Sequence, residues 1–424
     1  MRERIIQKYI EPLKRKKTGN VGIELELPIV HLKQQPVDFS IVHAITNQFV
    51  QTFHPILVHT DDNGDIANVE MKNGDIISFD CSYNTLEFSF APESNMYTIK
   101  KRLETYYTWF QDQFKKQDHA LTGMGINPHR ALNHNVPIPT ERYRMLYAYL
   151  QENNFPYPNY GFFACAAQVQ LDADMDSFLI SLQIFHKIEP YLSVLFANSI
   201  LDDYVLARDW FWKVSMHGIN PKNVGDFDVV PTTVDEMVDY IASQSIYCVM
   251  RDGTYLHFDP IPFQEYIQTE KVIARNSMEQ ETIIYPTIDD IEYLRTFKFD
   301  DLTFRGTIEH RSLCMQPISE VFGALAFLVG METNKEALMD WQPSLSFSRA
   351  QVNKKGGVRS LNQDLLIKDC KHLYHVAYEG LCKRGYQEEK LLERIAFRFD
   401  TATSPALDIL ESSKSMEDFI SIYQ

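Results

Sequence analysis

Cysteine is scarce in this 424-residue chain and shows no ordered spacing. Cys81, Cys165, Cys248, Cys314, Cys370 and Cys382 include no Cys-x-x-Cys pair. That excludes a thiolate zinc site or a disulfide framework and predicts reduced intracellular thiols. Positive charge is in deficit: 41 Lys and Arg against 57 Asp and Glu leave a net −16. Nucleic acid and anionic membrane surfaces are therefore excluded as main partners, while an anionic substrate brought in with Mg²⁺ remains open. Long hydrophobic runs are missing too. The most apolar stretch, Phe322–Met331, falls far short of the ~20 residues of a membrane span. The opening MRERIIQKYIEPLKRKK lacks the apolar centre of a secretory signal. These features predict a soluble, cytoplasmic protein. There is no G-x-x-x-x-G-K-[ST], no G-x-G-x-x-G after a strand and no G-x-S-x-G. Internal repeats, low-complexity tracts and linkers are also lacking. Hydrophobic residues at 45 % nevertheless exclude a largely disordered chain.

The most informative stretch present is VGIELELPIV, residues 21–30. Val21, Ile23, Leu25, Leu27 and Ile29 alternate with Gly22, Glu24, Glu26 and Pro28, the period of a half-buried strand. Glu24 and Glu26 then share one face. Two such carboxylates repel by about 1 kcal/mol at ~4 Å in water, and several times more in a protein-like dielectric. Either a cation or a proton belongs between them, or the face is simply wet.

Around this strand, residues 1–17 have helical spacing and end in a basic run, and 39–53 is a plausible helix. Short strands at 56–59, 67–71 and 76–79 are joined by the turns Asp61–Gly64 and Lys72–Asp75. Helices are expected at 99–116, 141–151 and 178–198, the last bent near Pro190. Thr233-Val-Asp-Glu236 has capping-box spacing for another. Strands are expected at 121–128, 162–172, 246–250 and within 303–314. From Ile318 onward the chain reads as helical. The absence of a βαβ rhythm predicts one α+β domain over residues 1–424, with a largely antiparallel sheet and a helical C-terminal third.

Three further stretches carry candidate chemistry. In FDCSYNTLEFSFAP (79–92), an unbroken strand would put Asp80 and Glu87 on opposite faces, but a turn or bulge at Cys81–Asn84 would bring them together. Glu309 and Arg311 share a face, either as a surface ion pair or as a metal-holding carboxylate beside an anion-reading guanidinium. Gln168 and Gln170 offer neutral oxygen and amide groups. On inward faces, the carboxylates of Glu24, Glu26, Glu87 and Glu309, joined by Asp80 if the turn allows, would form an oxygen-rich cage suited to Mg²⁺ and nucleotide phosphates. His129 and His134 read as ordinary surface residues.

The chain resembles the glutamate–cysteine ligases, nearer their plant and proteobacterial branch. The matching stretches are GIELEL (22–27), FDCSYNTLEFSFAP (79–92), GMGINP (123–128), CAAQVQLD (165–172), ANS (197–199) with VLARDWFW (205–212), and FRGTIEHR (304–311). The resemblance covers roughly residues 15–315; the helical part, 316–424, matches less well. It implies a glutamine-synthetase-like catalytic fold with a curved sheet. The implied reaction is ATP- and Mg²⁺-dependent joining of the γ-carboxylate of L-glutamate to the amine of L-cysteine through γ-glutamyl phosphate, the first step of glutathione biosynthesis. By the same resemblance Glu24, Glu26, Asp80, Glu87 and Glu309 match magnesium-holding positions, and Glu309 and Arg311 the catalytic ones. Arg311 matches an arginine that approaches ATP phosphates and the transition state. Gln168 lies near metal and substrate, Arg208 matches a substrate arginine, and Arg251 lies in a loop resembling one that carries another. The implied partners are small molecules, with the chain acting as a monomer or homodimer. After ANS the chain departs from the family with ILDDYVLA, which leaves the accepting amine open. Another carboxylate–amine ligase, a catalytically silent nucleotide-binding homologue and a metal-dependent hydrolase are the alternatives.

Overall fold

The computed structural model describes residues 1–15, 17–152, 162–214 and 220–424. Lys16 of the N-terminal basic run lies outside the described residues. The first strand, β1 (Val21–His31), is the axis of a nine-stranded sheet. On one side it pairs with β5 (Thr85–Glu93), which leads outward through β4 (Ile76–Phe79), β3 (Ile66–Glu70) and β2 (Leu57–Thr60). On the other side it pairs with β7 (Ala167–Asp172), and its end also pairs with β6 (His119–Leu121). Beyond β7 come β15 (Thr307–His310) and β14 (Asp300–Leu302). All pairings in this sheet are antiparallel.

The alternation in β1 is realised in burial. Val21, Ile23, Leu25 and Leu27 are at most 1 % exposed, whereas Glu24 and Glu26 are half-buried. The apolar face packs on helices Phe39–Phe53 and Met96–Lys115, where Phe49 and Phe110 stack at 4.7 Å and Phe88 meets Phe110. The other face is left for polar groups.

A second, four-stranded sheet is formed by β9 (Ser245–Arg251), β10 (Thr254–Pro262), β11 (Val272–Arg275) and β12 (Glu281–Ile284). Sequence reading finds only the first of these, because the others are short and lack a clean alternation. The two-residue strands β8 (Val224–Gly225) and β13 (Phe297–Lys298) pair in parallel.

The apolar run near residue 322 belongs to helix Val321–Thr333, buried around almost its whole circumference, as a helix without a polar face must be. Among the described residues, no helix is long and apolar enough to cross a membrane. Helix Gln363–Arg384 lies against it so closely that a Cβ on Gly380 would come within 2.0 Å of the Gly330 carbonyl oxygen. Glycine is required at that crossing.

Several boundaries differ from the sequence reading. The N-terminal segment is not one helix: an α-turn (Arg2–Ile5) passes through a π-turn (Ile6–Ile10) into a 3₁₀ turn (Glu11–Lys14) holding Pro12, which has no N–H to continue the ladder. The strand expected from Phe162 begins at Ala167, after isolated bridges at Ala164 and Ala166. The strand expected at 121–128 ends at Leu121. His129 is buried rather than a surface residue, with Nε2 3.0 Å from Glu417.

Candidate active site

The polar face of the large sheet gathers the acidic residues by register. Glu26 on β1 lies directly opposite Glu87 on β5, and Glu24 lies opposite Gln168 on β7. One strand further out, Gln170 lies opposite Glu309. Side chains at such paired positions point to the same face, so strands far apart in sequence build one carboxylate row.

Asp80 joins the row through a hairpin. β4 and β5 pair with Ser78 opposite Glu87, and Asp80 is two residues beyond Ser78, hence on Glu87's face. The turn after Asp80 bends sharply, with Cys81 at φ +58° and the Ser82 N–H donating to the Asp80 carbonyl. A non-glycine residue in this left-handed region is strained. The turn anticipated from sequence is thus present, and it puts Asp80 and Glu87 in one cavity.

That cavity is lined by Glu24, Glu26, Asp80, Glu87 and Glu309, together with Gln168, Arg208 and Arg311. Gln170 Nε2 donates to both Glu24 (3.2 Å) and Glu309 (3.0 Å). Gln168 Nε2 (3.0 Å) and the Ala166 N–H (2.7 Å) donate to Glu26. Glu87 accepts from Ser89 Oγ at 2.6 Å. Arg311 pairs with Glu309, and its Nε has no hydrogen-bond partner among the described residues. Arg208, from helix Ala207–Val214, is 3 % exposed, donates to the Ser312 and Leu313 carbonyls and lies 4.5 Å over the Trp212 ring.

The electrostatics follow from packing like charges together. Burial, then Glu309, pushes the Glu24 carboxyl up to about 7 despite Arg311. Burial, then Asp80, pushes Glu26 up to about 8. Asp80 is raised by burial, and Glu87 is raised well above its ordinary value by burial and its three acidic neighbours. Burial raises all four, and neighbouring negative charge adds to it for Glu24, Glu26 and Glu87; a bound cation would relieve both.

Of the residues given roles by the family resemblance, only Arg251 lies apart from this cavity. It ends β9 and pairs with Asp290 at 2.8 Å. Sequence reading missed Arg142 and Tyr143, which the helix Glu141–Glu152 brings to the cavity; Tyr143 Oη donates to Asp80 at 3.4 Å. Tyr247, Trp212 and Phe297 also line it. Trp212 stood in the VLARDWFW stretch and could have been found there. Arg142 sits in an ordinary amphipathic pattern that gives no signal.

The antiparallel sheet with one acid-lined face, packed by helices, is similar to the glutamine-synthetase-like fold. The crystal structure of a glutamate–cysteine ligase from Francisella tularensis in complex with AMP shares it, with a TM-score of 0.53 and 14 % identity over 96 % of this chain and 87 % of that one. A bifunctional glutathione synthetase from Pasteurella multocida matches at a TM-score of 0.50 and 12 % identity, over 100 % of this chain and 52 % of that one. The chain belongs to glutamate-cysteine ligase family 2 (GCS2), whose model matches residues 20–396. The chloroplastic glutamate–cysteine ligase of Solanum lycopersicum is 23 % identical over 343 residues, 77 % of this chain and 63 % of that protein. That of Nicotiana tabacum is 22 % identical over 345 residues, with the same coverage. The match spans somewhat under two thirds of these relatives' length.

Proposed function

We propose that the protein joins the γ-carboxylate of L-glutamate to the amine of L-cysteine at the expense of ATP, within a single catalytic unit. The observation that carries this reading is the row of five carboxylates from three strands and the turn after β4, faced by Arg311 and Arg208, in a member of the glutamate–cysteine ligase family. In the proposed reaction a γ-carboxylate oxygen attacks the γ-phosphorus of ATP and ADP leaves. The amine nitrogen then attacks the acyl carbon of the γ-glutamyl phosphate. Phosphate departs and the amine loses a proton.

The donors fit a hard dication: they are oxygen-rich, charged in excess and short of bonded counter-cations. Mg²⁺ would be held by Glu24, Glu26, Asp80, Glu87 and Glu309, and when bound it neutralises phosphate oxygens. Arg311, whose Nε has no hydrogen-bond partner among the described residues, is assigned to ATP phosphates; Arg208 is assigned to a glutamate carboxylate, which a guanidinium binds bidentately. Gln168 holds Glu26 in place and faces the substrate. Catalysis of this kind rests on positioning and fixed charge.

ADP release with Mg²⁺, ATP and L-glutamate, one amine added at a time, tests the reading. Dependence on cysteine with a product of γ-glutamylcysteine mass is the expected result. Release driven by another amine would rename the acceptor and keep the chemistry. Silence with every amine, despite Mg²⁺–ATP binding, would overturn the activity.

A further inference from the structure

A second polar cluster lies outside the cavity. Glu152 ends helix Glu141–Glu152, His257 lies on β10, and Glu279 sits in the turn between β11 and β12. One ligand atom from each lies within 4.8 Å of the other two. His257 Nδ1 is 3.8 Å from Glu152, and its Nε2 is 4.0 Å from Glu279, both too long for hydrogen bonds. The imidazole is only 1 % exposed, yet among the described residues its Nε2 has no hydrogen-bond partner. A buried ring nitrogen facing a carboxylate and left unpaired calls for a ligand.

Charge points the same way. Arg275 pairs with Glu152 and Glu281, so one guanidinium faces three carboxylates once Glu279 is counted. Glu279 is raised by burial and by Glu152, and burial lowers His257, which favours a neutral ring with a lone pair. The groove beside Tyr147, Ala148 and Ser277 gives an ion a way in.

We propose that Glu152, His257 and Glu279 form a binding site for a divalent transition-metal ion, zinc foremost, separate from the carboxylate cage. One imidazole and two carboxylates favour such an ion over Mg²⁺, whereas the cage offers oxygen. The ion would join the end of helix Glu141–Glu152 to the second sheet. The same helix carries Arg142 and Tyr143 to the active-site cavity. The His257 ring also lies 5.2 Å from Tyr149, which stacks at 5.3 Å on the cavity residue Tyr247. The site would thus brace one wall of the cavity without touching substrate.

Equilibrium dialysis of the chelator-stripped full chain against Zn²⁺, in excess Mg²⁺, tests this. Wild type and Glu24→Gln should each bind one Zn²⁺. His257→Gln and Glu279→Gln should bind it at least about a hundredfold more weakly, since losing even an outer hydrogen-bond partner costs ~10–100-fold. Cu²⁺ in place of Zn²⁺ should show nitrogen coupling in its electron paramagnetic resonance spectrum, absent in His257→Gln. Glu279→Gln alters an exposed turn and keeps the test decisive if His257→Gln fails to fold. Unchanged Zn²⁺ affinity in the folded variants, no Zn²⁺ binding by wild type, or loss of Zn²⁺ in Glu24→Gln alone would overturn the proposal.

Discussion

Two regions of this molecule treat buried carboxylates in opposite ways. Behind the cavity, Arg349 pairs with Glu189 and reaches Asp209 through Nε at 2.6 Å and a terminal nitrogen at 2.8 Å. In the helical C-terminal part, Arg398 is paired with Glu320 and Asp408, and Arg384 with Glu388. Glu189, Asp209 and Glu388 are buried together with their counter-ions, and Glu320 and Asp408 partly so. On the sheet face, five carboxylates share one cavity, and among the described residues only Glu309 carries a bonded guanidinium. Burying a charge costs several kcal/mol unless it is compensated. The first arrangement meets that cost within the chain and contributes to the fold. The second leaves it to protons or to an ion from solution, which is what a binding site does.

The comparison is most severely tested by removing an internal counter-ion. Arg349→Met should lower stability by about 3–5 kcal/mol, because the buried Glu189 and Asp209 would lose their shared counter-ion. An unchanged denaturant midpoint would mean that the inner cluster is no different from the cavity. Next in size, Glu24→Gln or Glu309→Gln should cut Mg²⁺-dependent ADP release by about 10²–10³-fold, the scale of losing one fixed electrostatic group. The fold should survive, since each change removes repulsion. Turnover retained in both variants would dismantle the cage. Arg208→Lys should raise the KM for glutamate about tenfold, the cost of exchanging a bidentate fork for a point charge, with a smaller change for ATP. Equal KM values for glutamate would take Arg208 out of the substrate site.

The most gradual effect, spread over several pH units, is a pH dependence of the metal-free protein. Unfolded Glu24 and Glu26 ionise near 4.5, but the folded carboxyls hold protons up to about 7 and 8. The folded state therefore binds more protons across that window, and stability falls as pH rises from about 4.5 through 8. Mg²⁺, taking the protons' place, should flatten the slope in a series of urea titrations. A slope unaffected by Mg²⁺ would show that these carboxyls do not meet the ion.

How much of this was readable beforehand varies with the range of the interaction. β1 was legible almost to the residue, because alternation over ten positions is a local signal. The 233–236 capping box was half realised: Thr233 Oγ1 accepts the Glu236 N–H, but the Glu236 carboxylate turns back to Thr232 instead of the Thr233 N–H. Asp80 was half legible, since the turn could be seen but not its direction. The second sheet was almost invisible, because β11 and β12 are four residues each and pair mainly with one another. Arg251 looked like a substrate arginine from its neighbours in sequence, but folding gives its guanidinium to Asp290. Nothing in the local pattern around Arg142 or Tyr143 announces that their helix ends at a cavity wall.

What the sequence determined by itself is the chemistry on offer: Glu24 and Glu26 on one face of a strand, Glu309 and Arg311 on one face of another, and a core apolar enough to bury the opposite side. Spacing of two residues enforces this, whatever the rest of the chain does. Only the tertiary structure decided which of these faces meet. Register places Glu26 opposite Glu87, and Gln170 between Glu24 and Glu309. Such pairings depend on contacts tens to hundreds of residues apart in the chain. A local pattern fixes which way a side chain points, but only packing fixes what it points at.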